Sequence, residues 1–116
     1  MNRILIVEDE KLLNETISVF LSYHDFEVVS AYDGKCAISK TKEYNPDLIL
    51  LDVILPTMYG YEVAKKIREF SDVPIIFLTS IEDEESRQKA FECGASEYLS
   101  KSIDLEHLLK VIHKFL

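Results

Sequence analysis

Four short apolar runs in this chain each lead into residues that could take part in chemistry. In chain order these residues are Glu8 and Asp9, Asp52, Thr79 and Lys101. If the runs are parallel strands of one sheet, their carboxyl ends lie along one edge, which is where open α/β sheets bind ligands. Three carboxylates, a hydroxyl and an ammonium group would then face one crevice. Such a set could hold a metal ion and a phosphoryl group.

The carboxylates of this predicted crevice would repel one another unless a positive charge lay among them. A hard divalent cation fits, because magnesium usually takes one or two protein carboxylates together with waters and phosphate oxygens. Taken singly, each residue has a plainer interpretation as a polar loop residue, a helix cap or a solvated lysine. Taken together, four different strand ends would have to carry suitable groups by chance. The joint pattern therefore favours a functional site.

Strand-like and helical segments alternate along the chain. Apolar runs at 4–7, 28–29, 48–52, 75–79 and 97–100 predict five strands. Helical periodicity predicts helices over 10–24, 35–45 and 61–70, from the acidic residues 82–85 to Gly94, and after Asp104. In the first helix the predicted inward stripe is Leu13, Ile17, Phe20 and Leu21. Alternation of this kind predicts βαβ units, and five of them give a doubly wound parallel sheet in a three-layer α/β/α sandwich.

Composition limits the possible functions. A length of 116 residues allows one domain with one proper core. The net charge of −8 argues against direct nucleic acid binding, which needs clustered lysine and arginine, and favours basic partners or divalent cations. No apolar run approaches the roughly 20 residues of a membrane span, and no targeting segment is recognisable. We therefore expect a cytoplasmic protein without membrane contact, with Cys36 and Cys93 reduced.

Several short motifs follow one another at a characteristic spacing. They are Glu8-Asp9, Asp33-Gly34, the run from Pro46 through Asp52 to Pro56, Gly60, the run from Pro74 to Ser80, Gly94-Ala95, and the run from Tyr98 to Lys101. With these motifs the chain resembles the receiver domain of bacterial two-component response regulators over its entire length. The resemblance implies a flavodoxin-like fold with strand order 2-1-3-4-5. It also implies one receiver domain over 1–116, with any effector domain outside this chain.

The resemblance assigns a metal site and a nucleophile. Asp52 would accept a phosphoryl group from the phosphohistidine of a sensor histidine kinase or a phosphotransfer protein. Asp9, Asp52 and the backbone carbonyl of Ile54 would bind Mg²⁺ directly, and Glu8 would act through a bound water; Mn²⁺ is an expected substitute. Magnesium and a nearby ammonium group would supply the charge neutralisation that phosphoryl transfer needs.

The resemblance also assigns groups to the phosphate and to a switch. Lys101, the Thr79 hydroxyl and the backbone N–H groups of Val53 and Ser80 would bind the phosphoryl oxygens. Tyr98 would turn inward when Thr79 moves toward the phosphate. The Lys101 amine is expected to have little to pack against, so its removal should cost little stability.

Two residues are expected to set the lifetime of the phosphorylated state. Ile54 lies two positions after Asp52, and Ile81 lies two positions after Thr79. In the family geometry both lie near the water that hydrolyses the phosphoryl group. Neither side chain can orient that water, so self-dephosphorylation is expected to be slow.

A charged surface near the end of the chain suggests a second partner. The last two helices carry Arg87, Lys89, Glu92 and Lys110. Their placement resembles the faces through which OmpR-like, DNA-binding regulators dimerise on activation, together with the last strand. A solvated surface explains these charges equally well.

Three other functions compete with this interpretation. An aspartate-dependent magnesium phosphohydrolase typically has a second acid two residues after the nucleophile, where Ile54 stands. A flavodoxin would need a phosphate loop after the first strand, where Glu8 and Asp9 would repel the phosphate of FMN. A receiver-like interaction module that takes no phosphate is the third.

The chain departs from the family pattern at two positions. Ser102 replaces the proline that usually follows the lysine, here Lys101, and Tyr59 replaces an acidic residue that often precedes the glycine, here Gly60.

Overall fold

A computed structural model describes residues 1–116 as five strands and five helices in strict alternation. The strands are β1 (Arg3–Val7), β2 (Glu27–Ala31), β3 (Leu48–Leu51), β4 (Ile75–Thr79) and β5 (Glu97–Ser100). The helices are α1 (Lys11–Tyr23), α2 (Gly34–Tyr44), α3 (Gly60–Arg68), α4 (Glu84–Glu92) and α5 (Leu105–Lys114). Every predicted element is present, with its ends shifted by a few residues at most.

All strand pairs are parallel, and the order across the sheet is β2-β1-β3-β4-β5. The predicted doubly wound fold and strand order are therefore confirmed. β3 lies in the centre and β1 lies next to it, with Val7 in register with Leu51. On the other side β4 pairs with β5, and Thr79 is in register with Ser100.

Helices cover both faces of the sheet, which explains why the strands are apolar on both sides. One core cluster of 12 buried residues joins Ile4 and Ile6 to α1 and α5. The other, of 18 buried residues, joins Leu5 and Val7 to α2, α3 and α4. None of the five helices is both long and apolar enough to cross a membrane.

Helix ends follow from local sequence. The side chains of Asp33, Asp83 and Asp104 each accept a hydrogen bond from the backbone N–H three residues later, and so cap α2, α4 and α5. The chain leaves α2 through Asn45 and leaves α4 through Gly94, both with positive φ (48° and 106°). These left-handed residues stop each helix and turn the chain toward the next strand.

Candidate functional site

Strand register brings the predicted residues to one edge of the sheet. Glu8 and Asp52 directly follow the paired residues at the ends of β1 and β3, and the Asp52 N–H donates to the Val7 carbonyl at 3.1 Å. Lys101 directly follows β5, and its N–H donates to the carbonyl of Thr79, the last residue of β4. Four strands therefore end at the same edge of the sheet, at the residues that the sequence predicts.

Lys101 lies at the centre of this crevice. Its Nζ is 2.9 Å from Asp52 Oδ2, 2.9 Å from Glu8 Oε1 and 3.1 Å from Glu10 Oε1. The Glu8 and Asp52 side chains are only 5% and 6% exposed, and that of Lys101 is 16% exposed. The expectation that the Lys101 amine has few partners is therefore wrong: it is the cation that makes this group of buried carboxylates tolerable.

Burial and charge shift the acid–base behaviour of this cluster. Burial raises the pKa of Glu8 above its ordinary value, opposed by a hydrogen bond from the Glu10 N–H and by Lys101; the charge of Asp52 adds to the rise. Burial acts to lower the pKa of Lys101, but its hydrogen bonds to Asp52, Glu8 and Glu10 outweigh that effect and raise it. The lysine is therefore held firmly in its charged form.

The acidic cluster has the donor set of a site for a hard cation. Carboxylate oxygens of Glu8, Asp9 and Asp52 all lie within 4.8 Å of one another. Two of the residues are buried and Asp9 is exposed, so the cluster opens to solvent on one side. With Glu10, the cluster has four carboxylates and one ammonium group, Lys101, which contacts three of them. The excess negative charge suits an oxygen-coordinated divalent cation.

The chain after Asp52 is held close to the site by a glycine. A β-carbon at Gly60 would lie 2.1 Å from the Asp52 backbone oxygen, so no other residue fits without moving the loop. The Gly60 N–H donates to the Val53 carbonyl at 2.6 Å, and Ile54 forms an isolated bridge with Tyr59. The loop therefore folds back over the end of β3.

Two backbone N–H groups beside the crevice make no hydrogen bond within the protein. They belong to Val53, which is 1% exposed, and to Ser80, which is exposed. Buried backbone donors are almost always paired, so an unpaired one next to Asp52 marks a place where a ligand or water oxygen would be bound. The family resemblance assigns these same two N–H groups to the phosphoryl oxygens.

Thr79 and Tyr98 lie on the opposite side of the crevice from the acidic loop. Thr79 is fully buried, and its Oγ1 accepts a hydrogen bond from the Ile81 N–H at 3.3 Å. Tyr98 lies inward at 8% exposure, and its hydroxyl donates to the Ile81 carbonyl at 2.6 Å. Burial raises the pKa of Tyr98 to about 12, with further contributions from Tyr61 and nearby carboxylates. Thr79 and Tyr98 thus share Ile81 as a partner.

The remaining predicted residues lie at the rim. The Ile54 side chain is 52% exposed and that of Ile81 is half-buried. The peptide bond between Lys101 and Ser102 is trans, like every other in the chain. Ser102 donates its N–H to Ser100 Oγ at 3.1 Å, which fixes the turn that follows the lysine.

Two residues of the site were not predicted from sequence. Glu10 directly follows the acidic pair, and its carboxylate is one of the three partners of Lys101. Asn14 is fully buried, and its Nδ2 donates to the Glu8 carbonyl at 3.0 Å. Its Oδ1 accepts from Ser30 at 2.5 Å and from Ser18 at 3.4 Å.

A signal for Asn14 was present in the sequence. Asn14, Ile17 and Leu21 are the buried residues of α1, whereas Leu13 and Phe20 of the predicted stripe are only partly buried. A polar residue at inward helical spacing suggests a specific hydrogen-bond partner, because buried polar groups are normally paired.

Comparison with known proteins gives one consistent result. The family model of the response regulator receiver domain matches residues 4–113. The response regulator ArlR of Staphylococcus aureus is 36% identical over all 116 residues, and the chain spans about half (53%) of the length of this curated relative.

Solved structures agree with the sequence comparison. The BeF3-activated N-terminal receiver domain of Klebsiella pneumoniae RstA superposes with a TM-score of 0.95 at 32% identity, covering 98% of this chain and 97% of that one. A two-component response regulator from Clostridium difficile superposes with a TM-score of 0.96 at 30% identity, covering 99% and 95%. This chain therefore belongs to the response regulator receiver domain family of two-component systems.

Proposed function

We propose that this domain accepts a phosphoryl group on Asp52 from a sensor histidine kinase or phosphotransfer protein, in a magnesium-dependent reaction. The observation that carries the proposal is the position of Asp52: a buried carboxylate at the end of the central strand, 2.9 Å from an ammonium group and next to the unpaired N–H of Val53. The proposed nucleophile therefore has a positive charge and a free N–H donor beside it, which supports its role in phosphoryl transfer.

In the proposed step an Asp52 carboxylate oxygen attacks the phosphorus of a phosphohistidine. The P–O bond forms as the P–N bond breaks, and the imidazole nitrogen keeps the electron pair of the broken bond. Phosphoryl transfer depends mainly on positioning and electrostatic stabilisation, so the protein needs no further covalent chemistry. Lys101, the Thr79 hydroxyl and the N–H groups of Val53 and Ser80 are the proposed donors to the phosphoryl oxygens.

The proposed Mg²⁺ ligands are Asp9, Asp52 and the backbone carbonyl of Ile54, with Glu8 acting through a water; Mn²⁺ is the expected substitute. Their oxygen donors and excess negative charge support this assignment. When bound, the cation would neutralise charge on the transferring group. Lys101 would then be released from its contacts with the carboxylates and could pair with the phosphoryl oxygens.

The switch is proposed to run from Thr79 to Tyr98. The Thr79 hydroxyl is the group that would move toward the phosphate, and Ile81 lies between it and the Tyr98 hydroxyl. A change at Thr79 would therefore reach the face formed by α4 and β5. A homodimer through α4, β5 and α5 on phosphorylation is the proposed output, in the manner of OmpR-like regulators.

The exposed face of α1 supports a protein partner beside the site. Leu12, Val19 and Tyr23 are 79%, 70% and 85% exposed, and their spacing places them along one side of the helix. This stripe begins two residues after Glu10, so a protein that docks there lies next to the crevice. We assign it to the phosphoryl donor.

A small phosphodonor, with and without magnesium, tests the proposal. Intact mass measurement should show a single adduct of about 80 Da that requires magnesium and is lost in Asp52→Asn, since a phosphoryl group adds to one residue. Lys110→Gln, an exposed change on α5, serves as the control and should leave the adduct unchanged. If the folded wild-type domain takes up no phosphoryl group, the proposal fails and a phosphorylation-independent interaction module becomes the better interpretation.

A further inference from the structure

The largest groove of the molecule lies away from the acidic crevice, between α2 and α3. It has a volume of about 650 Å³. Six of the residues that line this α2–α3 groove matter for its chemistry: Lys35, Lys42 and Lys66, and Ile38, Thr57 and Met58. None of them is used by the proposed phosphoryl transfer.

The charge of the groove is opposite to that of the molecule. The chain carries a net charge of −8, yet three lysines line the groove against one acid, Glu43. Lys35, Lys42 and Lys66 are exposed, and none of them forms a salt bridge within the chain. The groove therefore presents unpaired positive charge to an incoming ligand.

Apolar side chains lie between these lysines. Ile38 and Met58 are half-buried and both pack against the core of the α2–α4 face. Beyond them, Phe70 is 43% exposed, and the Lys42 ammonium lies 5.0 Å from the centre of its ring. An occupant would thus find an apolar floor with cations along its edges.

The rim of the groove is held in a strained conformation. Thr57 has φ of +66°, a left-handed value that β-branched residues rarely adopt. The next side chain, Met58, packs so closely over Gly34 that a β-carbon there would lie 2.8 Å from the Met58 sulfur. Such strain persists where the surroundings fix it, and it is concentrated at binding sites and switch regions.

We propose that the α2–α3 groove binds an acidic segment of a partner protein. Aspartate and glutamate side chains of the segment would pair with Lys35, Lys42 and Lys66, and its apolar side chains would lie on Ile38 and Met58. A nucleic acid fits less well, because its charge continues beyond the groove onto a surface of net negative charge. A short peptide confines its charge to the groove and also supplies apolar groups.

The proposal does not depend on chemistry at Asp52. The groove is formed by α2, α3 and the loop between β3 and α3, so it can be tested on the unmodified domain without magnesium. A domain that takes no phosphoryl group can still bind the peptide, and a domain that does not bind the peptide can still be phosphorylated. The two proposals therefore fail separately.

Fluorescence anisotropy with a short labelled peptide of glutamate and leucine tests the groove. The peptide should bind to the wild-type domain. Lys35→Glu/Lys66→Glu should lower the affinity for the peptide at least about tenfold, because glutamates of the variant would then face glutamates of the peptide. The matched control is Lys11→Glu/Lys114→Glu, the same charge change on two exposed lysines that do not line the groove. It should change affinity less than about threefold, through net charge alone.

Further measurements separate the apolar and electrostatic contributions. A peptide with serine in place of leucine should bind more weakly, and added salt should weaken both peptides. Lys35→Gln/Lys66→Gln, which removes charge without reversing it, should give an intermediate loss; circular dichroism checks that each variant is folded. Absence of binding, an equal effect of the control variant, or displacement of the peptide by a single-stranded oligonucleotide would overturn the proposal.

Discussion

Replacing Lys101 with methionine is expected to destabilise the metal-free domain. Methionine keeps the length of the side chain but removes the ammonium that lies 2.9 Å from both Glu8 and Asp52. Those carboxylates would stay buried without a counter-ion. The sequence alone predicts only a small loss of stability, because nothing in the local sequence indicates the contact between Lys101 and Glu10, which lies 91 residues away.

The size of the effect follows from the burial of the cluster. At an effective dielectric constant of about 20, a charge pair at about 4 Å is worth roughly 4 kcal/mol before desolvation is subtracted. Removing one partner of a fully buried pair typically costs about 3–5 kcal/mol. Because the crevice is open on the side of Asp9, some solvent reaches the remaining charges. We therefore expect the variant to lose about 2–3 kcal/mol of unfolding free energy.

Urea unfolding at neutral pH with EDTA measures this loss. Lys110→Met is the control, because Lys110 is exposed and has no salt bridge; its effect should stay within about 0.5 kcal/mol. Magnesium should recover more stability in Lys101→Met than in the wild type, since a bound cation replaces the missing charge. In an Asp52→Asn background, the loss caused by Lys101→Met should become smaller. A loss no larger than that of the control, or one that Asp52→Asn leaves unchanged, would refute the reasoning.

The pH dependence gives an independent check. The pKa of Glu8 is raised above its ordinary value of 4.5, so the folded state holds this proton more tightly than the unfolded chain does. Its contribution to stability is full below pH 4.5 and is lost as pH rises through the folded pKa. Without Lys101 the pKa of Glu8 should rise further. The difference in unfolding free energy between Lys101→Met and the wild type should therefore become smaller as the pH falls toward 4.5. A constant difference would contradict this account.

Three further predictions concern the surroundings of the crevice. The pKa of Tyr98 is raised from 10.0 to about 12, so the stability that its protonated hydroxyl contributes should be full below pH 10 and be lost as pH approaches 12. An ultraviolet titration should show one tyrosine that ionises at higher pH than the others, and Tyr98→Phe should remove this transition. Asn14→Ala should weaken magnesium binding about tenfold by releasing the Glu8 carbonyl, whereas Thr41→Ala, which also removes a buried polar side chain, should not. Calorimetric titration with magnesium compares the two variants, and an equal loss of magnesium affinity in both would mean that Asn14 has a purely structural role. Ile54→Asn combined with Ile81→Glu should speed loss of the phosphoryl group about 100-fold in a mass time course; a wild type that loses it within seconds, or a variant no faster than the wild type, would exclude the assigned role.

The fold could be predicted from sequence because its signals are local and repeated. Each strand is a short apolar run, and several helices carry their own start or stop residue, such as Asp104 before α5 or Gly94 after α4. The membership of the site could be predicted for the same reason: Asp52, Thr79 and Lys101 each stand at a strand end. Parallel strands bring such ends together whatever the details of packing.

Side-chain partners are a different matter, because they depend on distances across the sheet that no local pattern encodes. Lys101 could have pointed into solvent or into the crevice, and only the register of β1, β3, β4 and β5 decides this. Asn14 was hidden by its neighbours Leu13 and Ile17, which satisfy the apolar periodicity of α1 without it. Its partners, Glu8 directly after β1 and Ser30 on β2, become visible only once those strands are paired.

The difference between fixed strand ends and variable side-chain contacts also bears on how the domain could work. The strand ends fix where Asp52, Glu8 and Lys101 meet, and these positions are shared by any state that keeps the sheet intact. If the proposed switch operates, the contacts that change would lie around these strand ends: the Lys101 ion pairs, the free N–H groups of Val53 and Ser80, and the hydrogen bonds around Ile81. A rigid sheet with adjustable loop contacts can change its surface in response to one added charge without unfolding its core.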